Sequence, residues 1–145
     1  MEKTTIIAIV ASIIGFIDSL YLTIIKFTHS PIYCIPGLGS CETVQNSQWS
    51  EIWGIPIALL GAIVYLILIF CFVFEKKIRI LTHYSIYVVF GLSLFGFLYS
   101  LYLTYLEIFV IHTICQWCIL SAICMTVVFI TTLIRLKAIQ LRTSK

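Results

Sequence analysis

Four long apolar runs dominate the chain, at 5–25, 55–74, 84–109 and 114–134, and none shows the period-2 alternation of a half-buried strand. Each is about as long as the ~20 residues that a helix needs to cross a bilayer at ~1.5 Å rise per residue. A bilayer leaves backbone N–H and C=O groups satisfied only in helices or closed barrels, and continuous apolarity selects helices. The third run is long enough to tilt or to emerge at one end. Between the runs lie a polar loop with Pro and Gly at 28–54, the stretch EKKIR from Glu75, and a bend near His112. The pattern predicts an all-α fold with one membrane domain over 1–145, a four-helix bundle. Its extracytoplasmic loop between the first two helices bears a short amphipathic helix, and residues 135–145 form a cytoplasmic tail.

The first and third runs share a phrase. GFIDSLYLT at 15–23 returns as GFLYSLYLT at 96–104, with seven of nine positions identical. Gly15 stands nineteen residues before Cys34, and Gly96 nineteen before Cys115; a second cysteine follows each, Cys41 and Cys118. The chain therefore reads as two helical hairpins in parallel orientation, each delivering a cysteine pair to one face. Gly15 and Ser19, like Gly96 and Ser100, have the small-xxx-small spacing of close helix packing. Packing alone does not explain the equal distance to a cysteine.

Composition agrees with a membrane protein. Hydrophobic residues make up 61% and charged residues 10%, with a mean hydropathy of +1.12, against about 25% charged in soluble domains. Such a chain cannot solvate a soluble surface. Its basic residues are dispersed, which excludes a nucleic-acid-binding patch. Eight of the nine Lys and Arg (Lys3, Lys76, Lys77, Arg79, Arg135, Lys137, Arg142 and Lys145) fall on one side of the predicted bundle, and only Lys26 on the other. The positive-inside rule then places both termini in the cytoplasm and the cysteine loop outside, as in a prokaryotic plasma membrane. The first run exceeds the ~7–15 residues of a signal-peptide core and no A-x-A-like site follows it, so cleavage is not expected.

Four of the six cysteines thus face the side where disulfides persist. Cys71 and Cys124 lie within helices, where a cysteine is a small apolar filler. In TICQWC, Thr113 is a candidate cap that would leave Cys115 in the first turn of the fourth helix, where unpaired N–H groups favour a thiolate. Cys118, one turn on, is within reach of it. In the loop, Pro36, Gly37 and Gly39 make 34–41 a flexible turn. Ser40 is a candidate N-cap of a short helix continuing towards Trp49, so that Cys41 too begins a helix. A mobile outer pair and a fixed pair at the membrane suit a thiol relay. Two other classes remain open: an all-thiolate metal site, or two static disulfides in a structural protein.

These residues carry a resemblance to the vitamin K epoxide reductase family: SLYL in the first helix, C…CETVQNS in the loop, WGIP at the start of the second helix, and YLEIFVIHTICQWC leading into the fourth. The order of loop pair before helix-four CxxC differs from the DsbB oxidases, which carry CxxC in the first outer loop. The resemblance is to prokaryotic-type relatives without a fused thioredoxin domain, and it implies a separate thioredoxin-like dithiol partner on the outer side. It further implies that Cys34 exchanges with that partner, Cys41 passes electrons to Cys115, and Cys118 faces a quinone of menaquinone or ubiquinone type, with no metal. By the same resemblance Ser47 is a quinone-binding candidate, and Trp53, Tyr65 and Trp117 could line the pocket or simply anchor the interface. Vertebrate members have a pocket tyrosine where Ala122 stands here, which favours quinone over epoxide as substrate.

Four further residues carry expectations. Asp18 lies mid-helix opposite Tyr99 in the repeat, where a hydrogen bond inside the bundle or proton delivery is expected. Glu107 is placed near the outer surface and solvated. His112 is either a thiolate stabiliser or an interface residue, and Lys26 is expected to snorkel.

Overall fold

The computed structural model describes residues 2–75 and 81–144. Lys76, Lys77, Arg79 and Lys145, half of the residues behind the expected orientation, lie outside the described residues. Among those described, four helices are long and apolar enough to cross a membrane: α1 (Glu2–Thr28), α3 (Ile57–Glu75), α4 (Leu81–Leu106), which a π-helical turn prolongs over Glu107–Ile111, and α5 (Gln116–Thr143). A short α2 (Cys41–Gln45) lies in the loop after α1. The protein is an all-α, multi-pass membrane bundle. The expected tail is helical as far as Thr143, because 135–143 contains no Pro or Gly to stop α5.

α1 shows how the bundle holds together without a water-driven core. Its large apolar residues Ile6, Val10, Ile13, Ile17, Leu20 and Ile24 are exposed at alternating steps of four and three, a stripe facing lipid. The opposite face buries Ala8, Ala11, Ser12, Gly15, Ser19 and Thr23. Small residues let helix backbones approach closely where lipid gives no hydrophobic drive to association. Ser12 and Thr23 satisfy their buried hydroxyls by donating to the carbonyls of Ala8 and Ser19, at 2.8 and 2.7 Å. α1 packs against both α3 and α5, and α5 also packs against α4; α3 and α4 meet less closely. Tyr65, Leu68, Phe72, Val89 and Val128 fill the centre. Cys124 belongs to that core, and Cys71 packs against it.

The repeated glycines are both sites of close approach, but against different neighbours. A Cβ on Gly15 would collide with the ring of Tyr65, and one on Gly96 would come within 2.8 Å of the Met125 thioether. The Tyr65 ring is held by its hydroxyl, which donates to the Ser121 carbonyl at 2.7 Å. In an unobstructed helix Gly→Ala gains about 1 kcal/mol, whereas overpacking costs about 1–3 kcal/mol. Gly15→Ala is therefore expected to lower the Tm of the detergent-solubilised protein, and Gly96→Ala to lower it less, because a methionine repacks. Equal Tm values for the two variants would refute this account of the repeat.

At the end of the bundle away from the cysteines, Arg135 is buried and pairs with Glu75 at 2.5 Å, its guanidinium 5.6 Å from the Phe72 ring centroid. At the other end, the second helix starts at Ile57 and not at 55 as expected, because Ile55 and Pro56 form one strand of a tight hairpin. Glu51 and Ile52 pair with Pro56 and Ile55 across Trp53 and Gly54, both with positive φ (53° and 79°), as a tight primed turn demands. Trp53 sits at its tip, 99% exposed. Lys26 does not snorkel away from the bundle. It donates to the Gln45 carbonyl and to Ser50 Oγ (3.0 Å) and pairs with Glu51 at 3.0 Å, tying the end of α1 to the loop.

Candidate functional site

The loop cysteines are joined: Cys34 and Cys41 form a disulfide with a Cα–Cα distance of 6.3 Å, while Cys115 and Cys118 are free. As the sequence predicts, Ser40 is the N-cap of α2 and its Oγ accepts from Thr43 N–H, so Cys41 occupies the first helical position. The helix is shorter than expected. It ends at Gln45, and a single 3₁₀ turn over Gln48–Ser50 follows.

The loop is docked rather than free. Ile35 N–H donates to Gln116 Oε1 (3.3 Å), Ser40 N–H to Thr113 Oγ1 (2.9 Å), and Trp117 Nε1 to the Tyr33 carbonyl (3.0 Å). Gly39, at φ 128°, lies so close to Ile114 that a Cβ would strike its backbone. Thr113 is thus committed to holding the loop and does not cap α5. Cys115 itself is the N-cap, with Gln116 the first helical residue. Docking brings the two pairs together: Cys41 and Cys115 are fully buried in one cluster with Val44, and Cys34, Cys118 and Trp117 pack around it.

This position activates Cys115. A hydrogen bond from the Cys118 thiol to its sulfur holds the Cys115 thiol below its ordinary value, against the opposite pull of burial. No side-chain cap bond closes at Cys115, yet the N–H groups of Cys118 and Trp117 stand close enough to add to the effect. A lowered value means that the thiolate persists as pH falls below the ordinary thiol range, which makes Cys115 a better leaving group than an unperturbed thiol.

Cys118 is half-buried and lines a cavity of about 220 Å³ between the loop and the helices. The walls are largely apolar: Leu22, Val44, Leu60, Tyr65, Phe95 and Met125. Two of these lining residues, Leu60 and Phe95, are themselves exposed. Of the candidate quinone-pocket residues, Ser47 and Tyr65 line it, whereas Trp53 and Trp117 do not. Ser47 Oγ donates to the Val44 carbonyl at 2.7 Å, and the Tyr65 hydroxyl is bound to Ser121, so neither hydroxyl proton points freely into the space. Trp117 stacks on Tyr21, ring centroids 4.9 Å apart. Ala122 lines the wall and offers it no polar group.

Two acids differ from expectation. Glu107 is not solvated: it is 4% exposed, lines the cavity, and its Oε2 accepts from Cys115 N–H at 3.1 Å. It opens the π turn Glu107–Ile111, of which it is the buried residue. Its signal in the sequence is an ionisable residue in an apolar run, eight positions before the CxxC. Asp18 is buried on α1 with no hydrogen-bond partner at either carboxyl oxygen, so the expected bond inside the bundle is absent among the described residues. His112 is exposed in the left-handed region (φ 55°) and ends the turn.

Among curated proteins the chain is similar to thiol-disulfide oxidoreductase LTO1 of Arabidopsis thaliana, 37% identical over 49 residues, which is 34% of this chain and 13% of that protein. The chain thus spans only a small part of that relative. The pattern of the family described as vitamin K epoxide reductase matches residues 6–133. With that match covering nearly all of the four-helix core and both cysteine pairs, the chain belongs to the vitamin K epoxide reductase family.

Proposed function

We propose that the protein is a membrane thiol–quinone oxidoreductase, which takes electrons from a thioredoxin-like partner and so supports disulfide formation outside the cytoplasm. One observation carries the reading: Cys41 and Cys115 are buried in one cluster, while Cys118, the partner of Cys115, stands at the wall of a largely apolar cavity. The similarity to a thiol-disulfide oxidoreductase supports the chemistry. The charge distribution supports an orientation with both termini in the cytoplasm and the loop outside, as in a prokaryotic plasma membrane.

The observed state has an oxidised loop and a reduced inner pair. The inner dithiol closes to a disulfide as two electrons leave through Cys118. The partner's thiolate then attacks Cys34, freeing Cys41. Cys41 attacks Cys115, whose bond to Cys118 breaks. The partner's second thiolate attacks its own sulfur in the mixed disulfide, which oxidises the partner and releases Cys34. Cys34 then attacks Cys41, displacing Cys115 and restoring the observed state. Each step is a thiolate displacement on sulfur. A quinone in the cavity supplies the two-electron acceptor chemistry, and the protein supplies apolar walls and the position of Cys118. Ala122 provides no hydroxyl at the place of the vertebrate tyrosine, which favours quinone over epoxide. The test is purified protein with a menaquinone or ubiquinone analogue and a reduced thioredoxin-like protein. Quinone absorbance falls in step with partner oxidation if the reading holds, and stays unchanged if the cysteines are static or metal-bound.

A further inference from the structure

The relay leaves one buried group at the reacting sulfurs unused. Glu107 reaches both members of the inner pair: its Oε2 accepts from Cys115 N–H at 3.1 Å, and its carboxylate lies within hydrogen-bonding reach of the Cys118 thiol. It lines the same cavity as Cys118. The π turn that holds it is fixed by two backbone bonds, from His112 N–H and from Thr113 N–H (3.0 Å), both to the Glu107 carbonyl. A π turn interrupts regular helix hydrogen bonding and is frequent at functional sites. A buried acid beside two thiols is costly unless it has a task or strong partners.

We propose that Glu107 is the catalytic base that takes the proton from the Cys118 thiol and passes it to the reduced acceptor in the cavity. The proposal rests on the thiol–quinone reading above. The step balances. The Cys115 thiol gives its proton to water as its thiolate forms. The Cys118 S–H bond breaks with its proton going to Glu107, the Cys115–Cys118 S–S bond forms, and two electrons reduce the quinone. One quinol proton comes from Glu107, which returns to the carboxylate, and the other from water. The titratable groups facing Glu107 are Cys115, the N-cap of α5, and Cys118 in its first turn. Around them, Cys41 of α2 is held in its disulfide, Tyr99 of α4 lines the cavity, and Glu42 and His112 are exposed.

Glu107→Gln separates this role from a structural one. Glutamine keeps a carbonyl oxygen that can accept from Cys115 N–H, but it cannot take a proton. Quinone reduction driven by dithiothreitol is expected to lose about a hundredfold or more in kcat, in the range removed with a general base. The remaining rate should climb with pH as the Cys118 thiol ionises unaided, and Glu107→Asp should recover part of the loss. A second readout needs no quinone: alkylation of Cys118 by iodoacetamide, followed across pH by mass spectrometry. The wild type should show two inflections, one from the carboxylate and one from the thiol, and Glu107→Gln only one. A Gln variant whose kcat and pH profile both match the wild type, within about threefold, overturns the proposal, as does an unchanged alkylation profile. If the wild type reduces no quinone, the functional reading fails, and the alkylation profile still decides whether Glu107 controls the Cys118 proton.

Discussion

Replacing Cys118 with alanine is expected to reduce quinone turnover to the uncatalysed background while leaving the bundle folded. Cys118 is the member of the inner pair that lines the cavity, whereas Cys115 beside it is fully buried. Without Cys118 there is no sulfur at the cavity wall from which two electrons can leave. Cys115→Ala should be equally inactive, because the inner disulfide cannot form. The two losses should not add in the double variant, since both residues serve one step. Neither side chain belongs to the central core built on Tyr65, Leu68 and Phe72, so the Tm should move little. Cys124→Ala is the contrasting control. It removes a buried core sulfur and should lower Tm with quinone turnover retained, as should Cys71→Ala to a smaller degree. Quinone absorbance and thermal unfolding, measured on the same preparations, check both halves of this expectation.

Loss of Cys34 should have an effect that depends on the reductant. Cys34 is half-buried, next to the exposed residues 35–39, while Cys41 is 1% exposed. A protein partner's thiolate can therefore approach Cys34 but not Cys41. Cys34→Ala should abolish turnover with a thioredoxin-like partner. Dithiothreitol should still drive quinone reduction, because a small dithiol can reach Cys118 from the cavity and displace Cys115, whose lowered thiol makes it a good leaving group. If Cys34→Ala loses both activities equally, entry through the loop is not the route.

What could be read from the sequence was whatever depends on local pattern. The four spans follow from unbroken apolar runs, and the Ser40 cap and Cys41 helix start from a polar residue ahead of CETVQ. The equal spacing from Gly15 to Cys34 and Gly96 to Cys115 pointed to both pairs. What escaped depends on non-local contacts. Lys26 reads as a snorkelling cation until Gln45, Ser50 and Glu51 fold back onto it. Thr113 has the chemistry of a cap but is taken by Ser40 N–H, seventy-three residues away in sequence, which moves the cap to Cys115. Glu107 reads as a surface acid because nothing in EIFVI announces a π turn. The repeat shows the same limit. Its copies contact unlike neighbours, Tyr65 and Met125, and Asp18 is buried without a partner where Tyr99 lines a cavity. Similar helices were therefore put to different uses.

The most direct test of the relay is a trapped intermediate. In the double variant Cys34→Ala, Cys118→Ala, the loop and helix pairs each keep only the cysteine that belongs to the shared buried cluster, Cys41 and Cys115. Mild oxidation followed by non-reducing digestion and mass spectrometry should find these two joined, with Cys71 and Cys124 still free. A variant in which Cys41 and Cys115 stay unlinked, under conditions that oxidise both pairs of the wild type, would contradict the passage of electrons from the loop to the membrane pair.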